Sequence, residues 1–571
     1  MLVKLVALNA RYLHTCPGIL AVREELRARL PGIRLELAQC TINDPYYRLL
    51  IRISAGGPDA IFFSVAVWNA ALVTSLAQDL AAALPSCAIV LGGPEISSRE
   101  RAGDPLARFV WVQGEVEGLG EAFYQDLAAG TLAPLYQAKE PARFPCPYRD
   151  EDLAGPLRER AVYYEASRGC PFGCSYCLSS RKPRVREKDL ALVRVELSRL
   201  LAARPRNLRF VDRTFNLDPR RTLAIWQHLL RHGDPETVCH FEISADLITG
   251  DMLAFLATVP AGRFRFEIGI QSAHPPALAA VRRPWHPERL TAVVPALVAL
   301  DTVHVHADLI LGLPHETAES YAQGFDFVFR LAPHHLQMGL LKVLPGTPLA
   351  NEAERFGLVF SRRPPYPLLA NRWLDHESLA DLFWLGETVE AFCNNRFFCR
   401  FWDWLRRSDD SPFTFLSHLA DRCRKTGFFA QPPTQERLSG LLAASIDERP
   451  ERPLLVEILR HDWLACGHRF LPDHLGGSRL LAEARETLRR LLPQSWPGLY
   501  AHHEREELLK RSTFCWLGRE SLAAVGLQAE GGRYLGFLPE RAGGVHGHQR
   551  RLLLPAGLGA APVCRQDQDA E

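Results

Sequence analysis

The stretch CPFGCSYC, residues Cys170–Cys177, decides how the rest of the chain is interpreted. It holds three thiols at the spacing Cys-x3-Cys-x2-Cys, directly after a strand-like run at 161–166. Thiolates are soft ligands that suit zinc or iron–sulfur clusters, and both normally take four protein ligands. No fourth cysteine lies nearby, since the neighbours in sequence are Cys146 and Cys239. Three thiolates on a 4Fe–4S cluster would leave one iron open to another ligand; a zinc knuckle or three core thiols are the alternatives.

The length and composition describe an ordinary globular protein of several domains. A chain of 571 residues is too long for one core, and roughly two to four domains are expected. The net charge of +2 gives no overall attraction to nucleic acid, and no apolar run of about eighteen residues predicts a membrane span. The start of the chain has too short an apolar run for a signal peptide before Arg11, and the cysteines are scattered rather than dense. These features predict a reducing, cytoplasmic location without membrane or nucleic-acid partners.

Residues 1–138 alternate short apolar strands with helical stretches. The predicted strands are Leu2–Leu8, Arg34–Ala38, Ala60–Val67, Ala88–Leu91 and Phe109–Val112. This alternation predicts an α/β, doubly wound, Rossmann-like sheet, and ligands of such sheets bind at the carboxyl ends of the strands. Three loops qualify: Asn9–Cys16, Ser64–Asn69 and Gly92–Glu95. No G-x-G-x-x-G follows the first strand, which argues against a dinucleotide site.

A second strand–helix region at 161–375 follows a linker-like segment, 139–160, that is rich in proline and charge. Six strand–helix units predict an open, partial (β/α)6 barrel of the TIM type, with its site at the carboxyl ends of the strands. Six polar residues and one glycine lie at or near those ends: Asp212, Thr214, Asn216, Glu242, Glu267, Gln271 and Gly312. Glu242 and Glu267 are charged groups in apolar strands and are expected to have partners.

The remainder of the chain is predicted to be a mostly α-helical domain at 376–550, followed by a tail at 551–571. The periodicity there is helical throughout, and the dense aromatics are expected to form core. No catalytic combination of carboxylates, or of serine with histidine and aspartate, stands out in this region.

Three features of the central region together resemble the radical S-adenosylmethionine (SAM) superfamily. They are the cysteine spacing with an aromatic before the third cysteine, the strand end GIQS (269–272), and the turn in DLILGLPHET (308–317). The resemblance implies that Cys170, Cys174 and Cys177 hold a 4Fe–4S cluster. It also implies SAM contacts from Tyr176, Asp212, Asn216, Glu242, Glu267, Gln271 and Gly312. The superfamily's frequent Gly-Gly-Glu loop is absent, so Asp212, Thr214 or Asn216 would hold the amino group of SAM.

The N-terminal region resembles the cobalamin-binding domain that precedes many radical SAM cores. The resemblance lies in IFFSVAVWN (61–69), IVLGGPEIS (89–97) and WVQGEVEGLGEAF (111–123). It implies that Gly92 and Gly93 let the corrin approach the backbone. Ser64, Trp68 and Asn69 would border its lower face or nucleotide tail, with Glu95 in the same site. The motif D-x-H-x-x-G is missing and His14 is the nearest candidate, so cobalamin without a histidine ligand on cobalt is expected.

Taken together, the resemblances imply a cobalamin-dependent radical SAM enzyme. Such an enzyme cleaves SAM reductively at its 4Fe–4S cluster and here would methylate an unactivated carbon of an unknown substrate. An electron donor such as flavodoxin or ferredoxin is implied. The stretch NRWLDHESLADLFWLGETVEAF (371–392) resembles an uncharacterised helical domain that trails one subgroup of these proteins. For methyl and radical transfer to meet on one carbon, the loops at 64–69 and 92–95 must face Cys170–Cys177, Gln271 and Gly312.

Two alternatives remain open at this stage. The first keeps both cofactors but performs a radical rearrangement or ring contraction without methyl transfer. The second is a non-enzymatic corrinoid- or redox-sensing protein whose helical domain engages a partner. A tRNA-modifying methylthiotransferase is disfavoured, because the N-terminal region lacks a cysteine-cluster pattern of its own and no basic C-terminal module is evident.

Overall fold

A computed structural model describes residues 1–181, 183–496, 504–545 and 547–558. Most of the predicted tail at 551–571 therefore lies outside the described residues. The chain divides into two compact units. The first contains residues 1–293, 310–317 and 340–379, and the second contains residues 294–309, 318–339 and the chain from 380 onward.

The N-terminal part of the first unit is a six-stranded parallel sheet in the order β2-β1-β3-β4-β5-β6. Its strands are β1 (Leu2–Asn9), β2 (Arg34–Thr41), β3 (Ala60–Ser64), β4 (Ala88–Gly92), β5 (Val110–Gln113) and β6 (Leu135–Gln137). Its helices are α1 (Pro17–Arg29), α2 (Tyr46–Ser54), α3 (Ala70–Ala83), α4 (Pro94–Ser98) and α5 (Glu121–Ala129). The predicted doubly wound sheet is confirmed, with β6 as an additional edge strand.

The strands of this sheet are apolar on both faces because both faces are covered. One cluster of buried residues packs α2 and α3 against the sheet through residues such as Leu49, Val73 and Leu76. The opposite cluster packs α1 and α5 through residues such as Ile19 and Phe123. Burial of near-continuous apolar runs is what makes parallel strands favourable.

The predicted linker at 139–160 is anchored in the first unit. It forms the short helix α6 (Asp150–Ala154), and the Asp152 carboxylate accepts two hydrogen bonds of 2.6 Å from the Arg23 guanidinium on α1. Both side chains are buried, and Phe144 and Tyr148 are buried as well. The proline-rich composition predicts a flexible linker, but the buried Arg23–Asp152 ion pair and the buried aromatic rings hold this segment against the first unit. The domain boundaries themselves stay a prediction.

Four parallel strands follow within the first unit, in the order β7-β10-β11-β12. The elements of this region are β7 (Val162–Tyr164), β8 (Ser167–Arg168), β9 (Arg186–Glu187), β10 (Asn207–Phe210), β11 (Val238–Ile243) and β12 (Phe264–Gln271), with helices α7 (Leu190–Ala202), α8 (Pro219–His232), α9 (Gly250–Leu256), α10 (Pro275–Ala280) and α11 (Pro287–Ala299). Packed aromatic rings fill the space between these strands and α8, among them Phe210, Trp226 and Phe241. Strands β10 and β11 end at Phe210 and Ile243, and residues 211–216 and 244–247 form the loops described below.

The two remaining strands of the predicted barrel also form, as β13 (Val303–Leu311) and β14 (His335–Leu340). The elements after β12 are completed by α12 (Ala318–Arg330), α13 (Pro348–Asn351) and the hairpin β15 (Val359–Phe360) and β16 (Leu368–Ala370). All six strands that the sequence predicts for this region are therefore present.

The second unit is mostly helical in its C-terminal part. Its helices are α14 (His376–Phe392), α15 (Cys399–Arg407), α16 (Pro412–Lys425), α17 (Gln435–Ser445), α18 (Arg452–Ala465), α19 (Gly477–Leu491), α20 (Arg505–Arg511) and α21 (Arg519–Ala524). The buried Asp462 carboxylate accepts from the backbone N–H groups of Arg400 and Phe401 and so caps the start of α15. A three-stranded antiparallel sheet that the sequence analysis missed is formed by β17 (Thr513–Leu517), β18 (Arg533–Arg541) and β19 (Gln549–Leu553).

Among the helices of the described residues, none is long and apolar enough to cross a membrane.

Candidate active site

A cavity of about 1020 Å³ lies within the first unit, where the carboxyl ends of two parallel sheets face each other. One wall comes from the N-terminal sheet and includes Asn9, Ser64, Gly92 and Gln113 at the ends of β1, β3, β4 and β5. The other wall comes from the central region: Tyr163, Glu165, Ser167, Arg168, Gly169, Leu178, Ser179, Arg181, Val211 and Arg213. Gly169 and Leu178 are the residues immediately before and after Cys170–Cys177, so the cavity borders both ends of the cysteine loop.

The three predicted cluster cysteines each have a hydrogen-bonding group close to sulfur. The Cys170 Sγ lies 3.7 Å from the Thr214 hydroxyl, and the Cys174 Sγ accepts from an Arg283 Nη at 3.6 Å. The backbone N–H of Ser179 donates to the Cys177 Sγ at 3.4 Å. Cys170 and Cys174 are buried and Cys177 is half-buried. A cation and N–H donors stabilise thiolates, so this arrangement fits the sulfur ligands of a cluster.

Backbone hydrogen bonds hold the cysteine loop between two other parts of the first unit. The N–H of Ser175 donates to the Val281 carbonyl at 2.9 Å, and the Ser175 carbonyl accepts from Leu349 N–H at 2.9 Å. Val281 is the residue directly after α10, and Leu349 lies in α13. The position of the loop is therefore fixed by residues more than a hundred positions away in sequence.

Arg168 links the N-terminal sheet to the start of the cysteine loop. Its guanidinium donates to Glu115 at 2.7 Å and Glu117 at 2.8 Å, both in the loop after β5, and to Glu165. It also lies 4.5 Å from the centre of the Phe144 ring. These acidic partners raise the pKa of Arg168 against the effect of burial, so the cation persists in the cavity wall.

The structure places five of the six residues predicted for cobalamin at the cavity: Ser64, Trp68, Asn69, Gly92 and Gly93. Trp68 is 54% exposed, and its indole N–H donates to the Leu8 carbonyl at 3.3 Å. Asn69 is buried, and its amide bonds to Leu8, Ser64 and Ala66 backbone groups. The hydrogen bonds of Asn69 therefore fix the conformation of the Ser64–Asn69 loop, whereas the indole ring of Trp68 lines the cavity.

Glu95 is not among the cavity-lining residues. Its carboxylate bonds to the Tyr366 hydroxyl and lies 3.1 Å from the Arg99 guanidinium. Burial raises the pKa of Glu95, and these two partners oppose the shift. Its observed contacts anchor the loop after β4, and a ligand contact from Glu95 stays a prediction.

The two glycines of the loop after β4 differ in what surrounds them. Gly93 has φ +102°, and a Cβ there would lie 2.5 Å from the Val65 carbonyl oxygen. A Cβ on Gly92 would meet Val112 at 3.6 Å, which is ordinary contact. Gly93 is therefore required by the neighbouring backbone, whereas Gly92, which lines the cavity, has room for a Cβ in ordinary contact with Val112.

The side chain of His14 is held by the central region. Its Nδ1 hydrogen-bonds to the Tyr163 hydroxyl, and both residues line the cavity. Burial lowers the pKa of His14, and Arg209 and Arg11 lower it further, so the neutral imidazole is favoured. The expectation that His14 is not a cobalt ligand stays a prediction.

Two of the residues predicted for SAM have their polar atoms engaged within the protein. Both oxygens of the buried Asp212 accept hydrogen bonds, from Ala166 N–H at 3.0 Å and the Ser167 hydroxyl at 2.6 Å. Burial raises the pKa of Asp212 to about 6, and these two bonds oppose the shift. The amide of Asn216 pairs reciprocally with the Ser244 backbone at 2.8 and 2.9 Å. Their observed contacts fix the loops around the cysteines, and their roles toward SAM stay predictions.

The other residues predicted for SAM lie at or near the ends of the strands, outside the cavity lining. Glu242 lies 3.7 Å from Arg213, and Glu267 lies 3.0 Å from the Nε2 of His240, so both half-exposed carboxylates have the partners that the sequence predicts. Gln271 ends β12 with φ +74°. Gly312 has φ +91°, and its carbonyl accepts from the Asn371 amide at 2.9 Å. The Tyr176 hydroxyl lies 3.5 Å from Arg283.

Sequence reasoning missed Arg283, Arg168 and the pair formed by Glu316 and Ser272. Glu316 is 1% exposed and hydrogen-bonds to the Ser272 hydroxyl. Burial raises the pKa of Glu316 to about 8, so a neutral carboxyl joins the strand end GIQS to the turn after β13. The motif GLPHET could have identified Glu316 as a site residue, but nothing in the sequence identified Ser272 as its hydrogen-bond partner.

Two family models match this chain in separate regions. Residues 164–328 match the model described as the radical SAM superfamily. Residues 354–494 match the model described as a protein of unknown function (DUF4080). The second match confirms that an uncharacterised helical domain follows the core.

Among curated proteins, the chain is similar to the cobalamin-dependent radical SAM methyltransferase TokK of Streptomyces tokunonensis. The two are 26% identical over 358 residues, which cover 53% of this chain and 50% of TokK. A 2-(S-pantetheinyl)-carbapenam-3-carboxylate methyltransferase of Streptantibioticus cattleyicolor is 23% identical over 346 residues, covering 51% of this chain and 48% of that protein. The chain therefore spans about half the length of these curated relatives.

Among solved structures, the fold matches the cobalamin-dependent S-adenosylmethionine radical enzyme OxsB with aqua-cobalamin bound. The TM-score is 0.53 at 15% identity, and the match covers 81% of this chain and 80% of OxsB. At 15% identity this match shows a similar fold and nothing about function. The match over residues 164–328, together with the cysteine loop and the parallel strands, identifies a radical SAM domain within this chain.

Proposed function

We propose that this protein is a cobalamin-dependent radical SAM methyltransferase that methylates an unactivated carbon of its substrate. Its cofactors are a 4Fe–4S cluster on Cys170, Cys174 and Cys177, SAM at the adjacent strand ends, and cobalamin on the N-terminal sheet. An electron donor of the flavodoxin or ferredoxin kind reduces the cluster. The names of TokK and of the carbapenam methyltransferase support this reaction class.

The observation that carries the proposal is the cavity that two sets of strand ends share. Ligands of open parallel sheets bind at the carboxyl ends of their strands, and both sheets of the first unit direct those ends to the same space. Ser64 and Gly92 stand on one wall and Gly169 and Ser179 on the other. A cobalamin held by the first wall therefore faces the cysteine loop of the second.

The bound cofactors would supply a carbon radical from SAM and a methyl group from cobalamin, and the chain's own residues arrange where these meet. Phe62, Val90 and Val112 give the cavity an apolar floor that excludes water from a reactive radical. Arg168 and its three glutamates hold the wall of the N-terminal sheet against the cysteine loop. Asp212 and Asn216 fix the loops that border Cys170.

The test is anaerobic incubation of the full chain, reconstituted with iron, sulfide and hydroxocobalamin, with SAM and dithionite. Methyl transfer to cobalamin leaves S-adenosylhomocysteine, and reductive cleavage followed by hydrogen abstraction leaves 5′-deoxyadenosine. We expect both products in a mass-spectrometric assay. Only 5′-deoxyadenosine would favour the rearrangement reaction, and neither product would favour a sensor; both results contradict the proposal.

A further inference from the structure

Arg283 contacts the cysteine loop from a half-buried position. One Nη donates to the Cys174 Sγ at 3.6 Å and lies 3.5 Å from the Tyr176 hydroxyl, and the other Nη donates to the Gly269 carbonyl. A Cβ on Gly269 would lie 3.4 Å from that second Nη, an ordinary contact, and 2.3 Å from the Gln271 Nε2, so the side chain of Gln271 is what the small residue on β12 leaves room for. The side chain of Arg283 is thus fixed between the loop and a strand end.

The backbone also fixes where Arg283 begins. Helix α10 (Pro275–Ala280) ends in a turn in which Arg282 has φ +58° and the Arg283 N–H donates to the Leu278 carbonyl at 2.9 Å. This left-handed turn is a common way to end a helix. The neighbouring arginines point in different directions. Arg282 is exposed and pairs with Glu352 at 2.7 Å, whereas the half-buried Arg283 points toward the cysteine loop.

In the described residues, no carboxylate forms an ion pair with Arg283. A guanidinium that is partly withdrawn from water stays protonated, and a nearby anion offsets the free-energy cost of its lost hydration. The anionic atom that Arg283 contacts is the thiolate sulfur of Cys174. Any group that the three thiolates bind would also lie close to the guanidinium. A cluster held by three thiolates becomes more negative by one charge on reduction, and a nearby cation stabilises the more negative state.

We propose that Arg283 raises the reduction potential of the 4Fe–4S cluster through its charge and its hydrogen bond to Cys174. The inference rests on the proposed function in one respect, namely that the cysteines hold such a cluster. Arg283 contacts a ligand of the cluster rather than a reacting atom, so its role is to hold a positive charge beside the cluster.

The experiment compares the reconstituted full chain with Arg283→Gln, Arg283→Lys and the matched control Arg282→Gln, all without SAM. Iron and sulfide content are measured first, and the reduced cluster is then followed by electron paramagnetic resonance during a redox titration. At the potential that half-reduces the wild-type cluster, we expect the ratio of reduced to oxidised cluster in Arg283→Gln to fall about tenfold, which equals about 59 mV for one electron. Arg283→Lys keeps the charge and is expected to stay close to the wild type, as is Arg282→Gln.

The outcomes separate this inference from the proposed function. A wild-type chain that binds no iron contradicts the proposed function itself. A full complement of iron in Arg283→Gln with an unchanged potential overturns the role of Arg283 alone. An equal shift in Arg282→Gln also overturns it, because the effect would then not depend on the contact with Cys174.

A second measurement needs no charge-removing variant and applies if Arg283→Gln does not fold. Wild-type protein labelled with 15N-arginine is reduced and studied by pulsed electron paramagnetic resonance. A hydrogen bond from the guanidinium to a cluster sulfur predicts a weak 15N coupling that disappears in Arg283→Lys. No coupling in the wild type, or coupling that persists in Arg283→Lys, contradicts the proposal.

Discussion

Replacing Cys170, Cys174 or Cys177 by alanine is expected to abolish both the cluster's visible absorbance and the formation of 5′-deoxyadenosine. Each thiolate of such a site binds a different iron, so the loss of any one ligand exposes an iron and destabilises the whole cluster. Hydrogen-bonding groups lie near all three sulfurs, and the loop is anchored through Ser175, so each thiol is held in one place.

Cys393→Ala is the matched control for these variants. Cys393 lies in the second unit, and burial raises the pKa of its thiol, which disfavours the thiolate that iron requires. This variant should keep the iron content, the absorbance and the product of the wild type. A triple variant of the loop cysteines that still holds a full complement of iron would show that the cluster is elsewhere.

Gly93→Ala is expected to lower the free energy of unfolding by roughly 2–5 kcal/mol. Gly93 has φ +102° and ψ 177°, a conformation that side chains rarely adopt, and a Cβ would stand 2.5 Å from the Val65 carbonyl. The strand ends of β3 and β4 would have to separate to admit it. Urea unfolding of the protein without cofactors measures the effect.

Gly92→Ala is the neighbouring comparison, and it separates folding from ligand binding. A Cβ at Gly92 meets Val112 at an ordinary 3.6 Å, so its stability should stay within about 1 kcal/mol of the wild type. The same Cβ would intrude on a corrin that lies against the backbone, so hydroxocobalamin should bind more weakly by equilibrium titration. Equal stability of Gly93→Ala and wild type, or unchanged cobalamin binding in Gly92→Ala, would contradict these assignments.

The sequence was sufficient for the sheets because their strands are near-continuous apolar runs with helices between them. Strands β1 to β5, β7 and β10 to β14 lie where apolar periodicity places them, since burial on both faces leaves little freedom. The short antiparallel pair β8 and β9 was not predicted. Motif spacing likewise identified the cysteine loop, which the match over 164–328 supports. The short edge strand β6 (Leu135–Gln137) was missed because three half-exposed residues carry no such periodicity.

The polar contacts of the site were harder to predict because they join residues that are distant in sequence. Asp212 and Asn216 are polar residues in a suitable loop, but their partners Ser167 and Ser244 come from other loops. Glu95 is bonded to Tyr366, which is 271 residues away. Pattern and motif identify which residues are polar near a strand end. Pattern and motif do not show whether a polar atom bonds to another residue or to a ligand. That depends on how the loops pack, and sequence periodicity does not describe the conformation of loops.

The most direct test of the account is to locate iron and cobalt in one crystal of the full chain reconstituted with the cluster and cobalamin. Anomalous scattering at the two metal edges identifies each element without reference to the fold. The account predicts iron at Cys170, Cys174 and Cys177 and cobalt in the same cavity, above Ser64 and Gly92, with open space between the two. Cobalt bound elsewhere, or a wall of protein between cobalt and iron, would contradict the claim that both cofactors act on one substrate.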